Sequence, residues 1–175
     1  KTGNQKCSWH SQHKRTGKDV NYMKIKWLGH SCYLITTSNG VRILTDPFDE
    51  TTGYTVPSVE VDIVTSSHDH FDHNNVKCVR GEFKFLKTTD EYSENGVRIY
   101  GISTFHDSVG GKKRGSNIIF VYEIDGLRLC HCGDLGHLLS EEQLAEIGKV
   151  DILMIPVGGT YTINADQANA VKEAI

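Results

Sequence analysis

The chain has 175 residues, 38% of them hydrophobic and 23% charged, with a formal net charge of −3. That length supports one domain with a sizeable core rather than two. The acidic balance excludes a non-specific nucleic-acid footprint, and no apolar run approaches the roughly 20 residues that span a bilayer, so neither nucleic acid nor membrane is an expected partner. The five cysteines (Cys7, Cys32, Cys78, Cys130, Cys132) are odd in number and show no disulfide-framework spacing, so a reducing, cytoplasmic setting is expected.

Residues 1–22 are polar, basic and aperiodic. They are expected to lie outside the fold as a leader or expression remnant, with Cys7, His10 and His13 carrying no function. The domain is expected to span 23–175. From Met23, short strands come at close spacing: 24–28, then 31–37 after Gly29-His30, then 41–45 after the turn Ser38-Asn39-Gly40. The third ends in Asp46-Pro47, where proline stops the ladder. Residues 48–60 read as a loop and 61–66 as a buried strand. A short helix is expected after His73, running to about Val79. Strands follow at 82–87 and 97–105, then a flexible basic loop over Gly110–Gly115. Two alternating runs, 117–124 and 127–132, flank the hairpin signal Asp125-Gly126. Alternation puts the Cys130 and Cys132 thiols on one face and His131 on the other, where the cysteines serve as small buried hydrophobes. Ser140 and Gln143 form a capping box for a helix ending near Gly148. A strand over 151–157 and a helix from about Asn164, still running at Ile175, complete the pattern. Strands dominate the first half and alternate with helices afterwards, which predicts an α/β chain of two sheets flanked by helices.

The chemistry concentrates in Ser67-His68-Asp69-His70-Phe71-Asp72-His73, directly after a buried strand. Imidazole and carboxylate are ligands that zinc-like divalent ions take, and so dense a polar run is costly to bury without a partner. Other polar residues recur where strands end: His30, Asp46, His106 and Asp134. Five strand ends carrying His or Asp predict side chains converging at one rim of the sandwich.

These motifs resemble the metallo-β-lactamase superfamily. The glycine-bearing stretches Leu28–Cys32, Thr45–Phe48, Arg114–Asn117 and Gly133–His137, with Asp151–Gly159, are similar to the branch of metal-dependent hydrolases that includes ascorbate-6-phosphate lactonase-like proteins. The resemblance implies a four-layer αβ/βα sandwich and a site for two divalent ions, zinc first, with manganese or iron also suited. His68, His70 and His106 would hold the first ion, Asp72 and His73 the second, and Asp134 would bridge them. Asp46 would orient a ligating imidazole from behind. His30 and His131 are either contacts of that kind, substrate contacts or structural histidines, and His137 reads as a surface residue. The family pattern also includes a last histidine beyond the helix that begins near Asn164, so the sandwich is expected to be incomplete at its C-terminal end and the second ion one ligand short.

The chemistry so implied is hydrolysis of an ester, lactone or phosphoester by a metal-bridging hydroxide, with Asp72 assisting proton transfer. Lys112, Lys113 and Arg114 could meet an anionic small-molecule substrate, or simply form a solvated basic loop. Two alternatives stay open: a nuclease of the same superfamily, and a non-catalytic metal-binding or interaction module. A homo-oligomer is compatible with either.

Overall fold

The computed structural model describes residues 22–175. The expectations for the leader, including Cys7, His10 and His13, fall outside the described residues apart from exposed Tyr22. The strands are β1 (Lys24–Gly29), β2 (Cys32–Thr36), β3 (Arg42–Thr45), β4 (Val59–Glu60), β5 (Ile63–Thr65), β6 (Val79–Arg80), β7 (Lys84–Leu86), β8 (Tyr92–Glu94), β9 (Val97–Phe105), β10 (Ser116–Ile124), β11 (Leu127–His131) and β12 (Ile152–Met154). The helices are α1 (Glu141–Ile147) and α2 (Ala165–Ala174). Both start at the expected boxes: Ser140 accepts from the Gln143 N–H and Asn164 from the Gln167 N–H, each with the reciprocal side-chain bond.

Two five-stranded sheets face each other, ordered β1-β2-β3-β5-β7 and β12-β11-β10-β9-β8. Ile35, Ile43 and Ile63 of the first sheet pack against Ile99, Phe120, Tyr122 and Leu129 of the second. The outer face of the second sheet is covered by the helices, where Cys130, Cys132 and Val121 meet Ile147, Ala168 and Val171. The first sheet's outer face buries Leu44, Val64 and Phe48 under the 47–60 segment and the small parallel β4–β6 ribbon. The α/β sandwich expected from the sequence is therefore present. Alternation on β11 holds as well: both thiols enter the helical side, while His131 turns to Ser31 with its Nε2 2.9 Å from the carbonyl.

Three local expectations need correction. The segment after His73 forms a single 3-10 turn (Val76–Cys78) rather than a helix, because the chain at once enters β6 to pair with β4. The β8 strand was not anticipated; it pairs with β9 across Asn95-Gly96, both at positive φ (53° and 77°). The basic loop is a pinned turn rather than a flexible one. The Asp107 carboxylate accepts the N–H groups of Val109, Gly111, Lys113 and Arg114 at 2.8–2.9 Å.

Strand direction decides where the site lies. β3 and β5 are parallel, β1 reaches the same direction through antiparallel β2, and β9 and β11 share a direction through antiparallel β10. The C-terminal ends of β1, β3, β5, β9 and β11 carry His30, Asp46, the His68–His73 loop, His106 and Asp134. The sheets are joined near this rim by the Ile118 N–H donating to the Ser67 carbonyl at 2.8 Å, and deeper by a 2.7 Å hydrogen bond between the Thr65 and Tyr122 hydroxyls. Both Thr65 and Tyr122 are fully buried, so removing one partner strands the other. Tyr122→Phe is expected to cost about 1–3 kcal/mol of unfolding free energy in a urea titration, and Thr65→Val combined with it should add little further. Full additivity of the two would deny the coupling.

Candidate metal centre

Asp46 organises the cluster. It is wholly buried at the end of β3, at φ 38°, where its own N–H donates to the Thr65 carbonyl. One carboxylate oxygen accepts the Ser67 N–H at 2.7 Å; the other accepts the Ser67 hydroxyl at 2.6 Å and His73 Nδ1–H at 2.8 Å. Because the Ser67 proton goes to Asp46, the Ser67 oxygen is left to accept from His68 Nδ1–H at 2.9 Å. Both rings are thereby turned so that Nε2 faces the cluster, and neither Nε2 has a hydrogen-bond partner among the described residues.

Around these nitrogens the other donors close in. Asp134 Oδ2 lies 3.3 Å from His73 Nε2 and 3.2 Å from His106 Nε2. Asp72 Oδ2 lies 3.9 Å from His73 Nε2 and 3.7 Å from His30 Nε2. Three donor triplets result, each with all its ligand atoms within 4.8 Å of one another: His68/His70/His106, His68/His73/Asp134 and His30/Asp72/His73. Ions with bonds of about 2.1 Å set neighbouring donors roughly 3–4 Å apart. Orphaned buried nitrogens at such spacing fit divalent metal.

The electrostatics point the same way. Burial pushes His68 down to about 3, with His73 beside it adding to the effect, so its imidazole is neutral and fit to ligate. Burial also opposes charge on His73, but Asp46 and Asp134 outweigh it and carry the ring up to about 10. Burial would raise the Asp134 carboxyl, yet His106 and His73 hold it well below the usual carboxylate range. Burial would likewise raise Asp46, but His73 and His131 keep it low. The buried carboxylates thus demand positive charge, which a His73 proton provides and a metal cation could replace.

The backbone that presents Asp134 and His106 leaves no room for side chains. At Gly133 (φ 53°) a Cβ would meet Ser67 and the Asn117 amide oxygen, and at Gly136 it would overlap the backbone of His106 and Asp107. Asn117 is buried, accepts the Asp134 N–H at 2.9 Å and donates to the Cys132 carbonyl at 3.0 Å. His137, expected at the surface, is half-buried there and also steadies the strand end before His106: its Nε2 accepts the Phe105 N–H at 3.1 Å and its Nδ1–H donates to the Leu138 carbonyl. Sequence reasoning missed three organising groups. Ser67 lay inside the motif but drew no role, Asn117 sat in a quoted stretch without one, and the glycine-rich turn after Asp107 was the signal for its cap.

With that geometry in place, comparison settles the family. A profile described as "Beta-lactamase superfamily domain" matches residues 24–175. The chain belongs to the β-lactamase superfamily. A solved structure of a putative zinc-dependent hydrolase of the metallo-β-lactamase superfamily from Thermotoga maritima is 43% identical, with a TM-score of 0.73 over 87% of this chain and 71% of the other. A UPF0173 metal-dependent hydrolase of Methanoregula boonei is 26% identical over 87% of this chain and 78% of its own length. A putative metal-dependent hydrolase from Parabacteroides distasonis shares the fold at 23% identity, with a TM-score of 0.68 over 87% of this chain and 77% of the other.

The tight packing at Gly136 yields a direct test. In this superfamily member Gly136→Ala must push the His106–Asp107 backbone aside, which is expected to cost about 1–3 kcal/mol in denaturant unfolding. An unchanged midpoint would mean the turn has slack that the geometry denies it.

Proposed function

We propose that the cluster is the catalytic centre of a metal-dependent hydrolase. His68, His70 and His106 serve one ion position, Asp72 and His73 a second, and Asp134 lies between them. What carries this reading is the pair of orphaned Nε2 atoms of His68 and His73, turned inward by one buried carboxylate beside Asp134 and Asp72. Divalent ions there, zinc first and manganese or iron next, supply a lowered pKa for water and polarise a carbonyl or phosphoryl oxygen. Asp72, partly exposed beside His30 and His73, is the carboxylate placed to take up a proton at the mouth of the site.

The substrate space supports a small molecule. A cavity of about 650 Å³ adjoins His30 and Asp134, with Tyr33, Tyr54 and Tyr161 among its walls. That volume suits a compact ester, lactone or phosphoester better than a nucleic-acid strand, which argues against the nuclease alternative. Arg114 places its guanidinium 5.1 Å from the Tyr161 ring, at the rim, and favours an anionic group there. Lys112 and Lys113 are exposed and less suited to that task. Four free cysteines among the described residues agree with a reducing, cytoplasmic setting, and no helix there is long and apolar enough to cross a membrane.

The test combines elemental analysis with ester, lactone and phosphodiester reporters, neutral and anionic. The wild type is expected to carry metal and to lose turnover reversibly with a chelator, and His68→Ala to lose metal and more than ~100-fold of the turnover. Metal without turnover would favour a non-catalytic module. Stoichiometric metal retained in His68→Ala would contradict the assignment.

A further inference from the structure

The His30 ring, although largely withdrawn from solvent, has no hydrogen-bond partner to explain its position. Neither ring nitrogen makes a hydrogen bond among the described residues: Nδ1 is buried and unpartnered, and Nε2 stands 3.7 Å from Asp72 Oδ2, beyond hydrogen-bond reach. The backbone beneath it is nevertheless firmly placed. His30 sits at φ 49°, in the left-handed region that a bulky residue adopts at a cost. Its carbonyl accepts the Trp27 indole N–H at 2.9 Å. Gly29, at φ 120°, lets the Tyr54 ring close over the turn, where any Cβ would collide with it. The result is an imidazole set edge-on to His73, with ring centroids 4.8 Å apart.

We propose that His30 is a metal ligand, completing with Asp72 and His73 a His-Asp-His site at the end of β1. The inference rests on the hydrolase reading above and extends it, since that reading gives this position only Asp72 and His73 beside the shared Asp134. The three ligand atoms lie within 4.8 Å of one another, with the carboxylate oxygen 3.7 and 3.9 Å from the two imidazoles. Two imidazoles and one carboxylate are a donor set that zinc accepts with a fourth position open. The strained turn then has a use: it carries a ring from the first sheet's edge strand to the Asp72 and His73 donors of the loop that follows β5.

Metal-free protein is titrated with Zn²⁺ by calorimetry and with Co²⁺ by absorption and NMR. The wild type is expected to take two equivalents. His30→Gln keeps hydrogen-bonding capacity but ligates poorly, and His30→Asn in addition tolerates the left-handed backbone. Both are expected to weaken one equivalent by more than ~100-fold, beyond the 10–100-fold typical of a residue that only supports a ligand, and to leave the other unchanged. In Co²⁺-loaded wild type the His30 ring protons should be paramagnetically shifted as those of His73 are, a readout that needs no variant to fold. Two undiminished equivalents in either variant, a wild type that binds one ion only, or an unshifted His30 ring would overturn the proposal while leaving the His68 assignment standing. A wild type that binds no ion at all would overturn both.

Discussion

The arrangement depends on one buried negative charge. Asp46 reaches no solvent, and every hydrogen bond its side chain makes goes to Ser67 or His73. A carboxylate so enclosed is expensive unless its lone pairs are fully engaged. Engaging them fixes a serine, and through that serine a second histidine. Two imidazoles of the His68–His73 loop are thus oriented from behind by a residue of a neighbouring strand. Were the carboxylate neutral or absent, His73 would lose its anchor and the loop its geometry, although every proposed ligand would remain in the chain.

From that point the site is assembled by strand direction rather than by sequence neighbourhood. Five strands end at one rim; the close approach at Gly133 sets the end of β11 against Ser67 of the first sheet, and that at Gly136 sets it against the end of β9. The cavity beside Asp134 opens between the two sheets' loops, so its walls come from segments far apart in the chain, including Tyr33, Tyr54 and Tyr161. Loops that bring a tyrosine or Arg114 to the cavity are free to vary while the donors stay in place, which is how one fold serves several hydrolytic chemistries.

Much of this was legible in the residues. The His68–His73 run announces its chemistry, the strand-end pattern places its distant companions, and the capping boxes at Ser140 and Asn164 locate both helices. What the sequence concealed was of two kinds. Short strands such as β4 and β6 contain two residues each and exist only because they pair, so periodicity cannot reveal them. The β8 hairpin did carry a signal in Asn95-Gly96, but its strand is three residues long and largely exposed, without the alternation that marks a core face. Polar organisers form the other kind. Ser67, Asn117 and Asp107 act through backbone and side-chain hydrogen bonds whose partners are fixed by tertiary packing, and His137 looked superficial until β9 supplied the N–H it accepts.

Asp46 sets the orientation and tautomers of His68 and His73, and on the hydrolase reading it thereby sets the affinity for metal. Competition for Zn²⁺ against a chromophoric chelator, wild type beside Asp46→Asn, measures this most directly. Affinity is expected to be lower by about 10–100-fold in a variant that remains folded by circular dichroism. Equal affinity in the two proteins would contradict it.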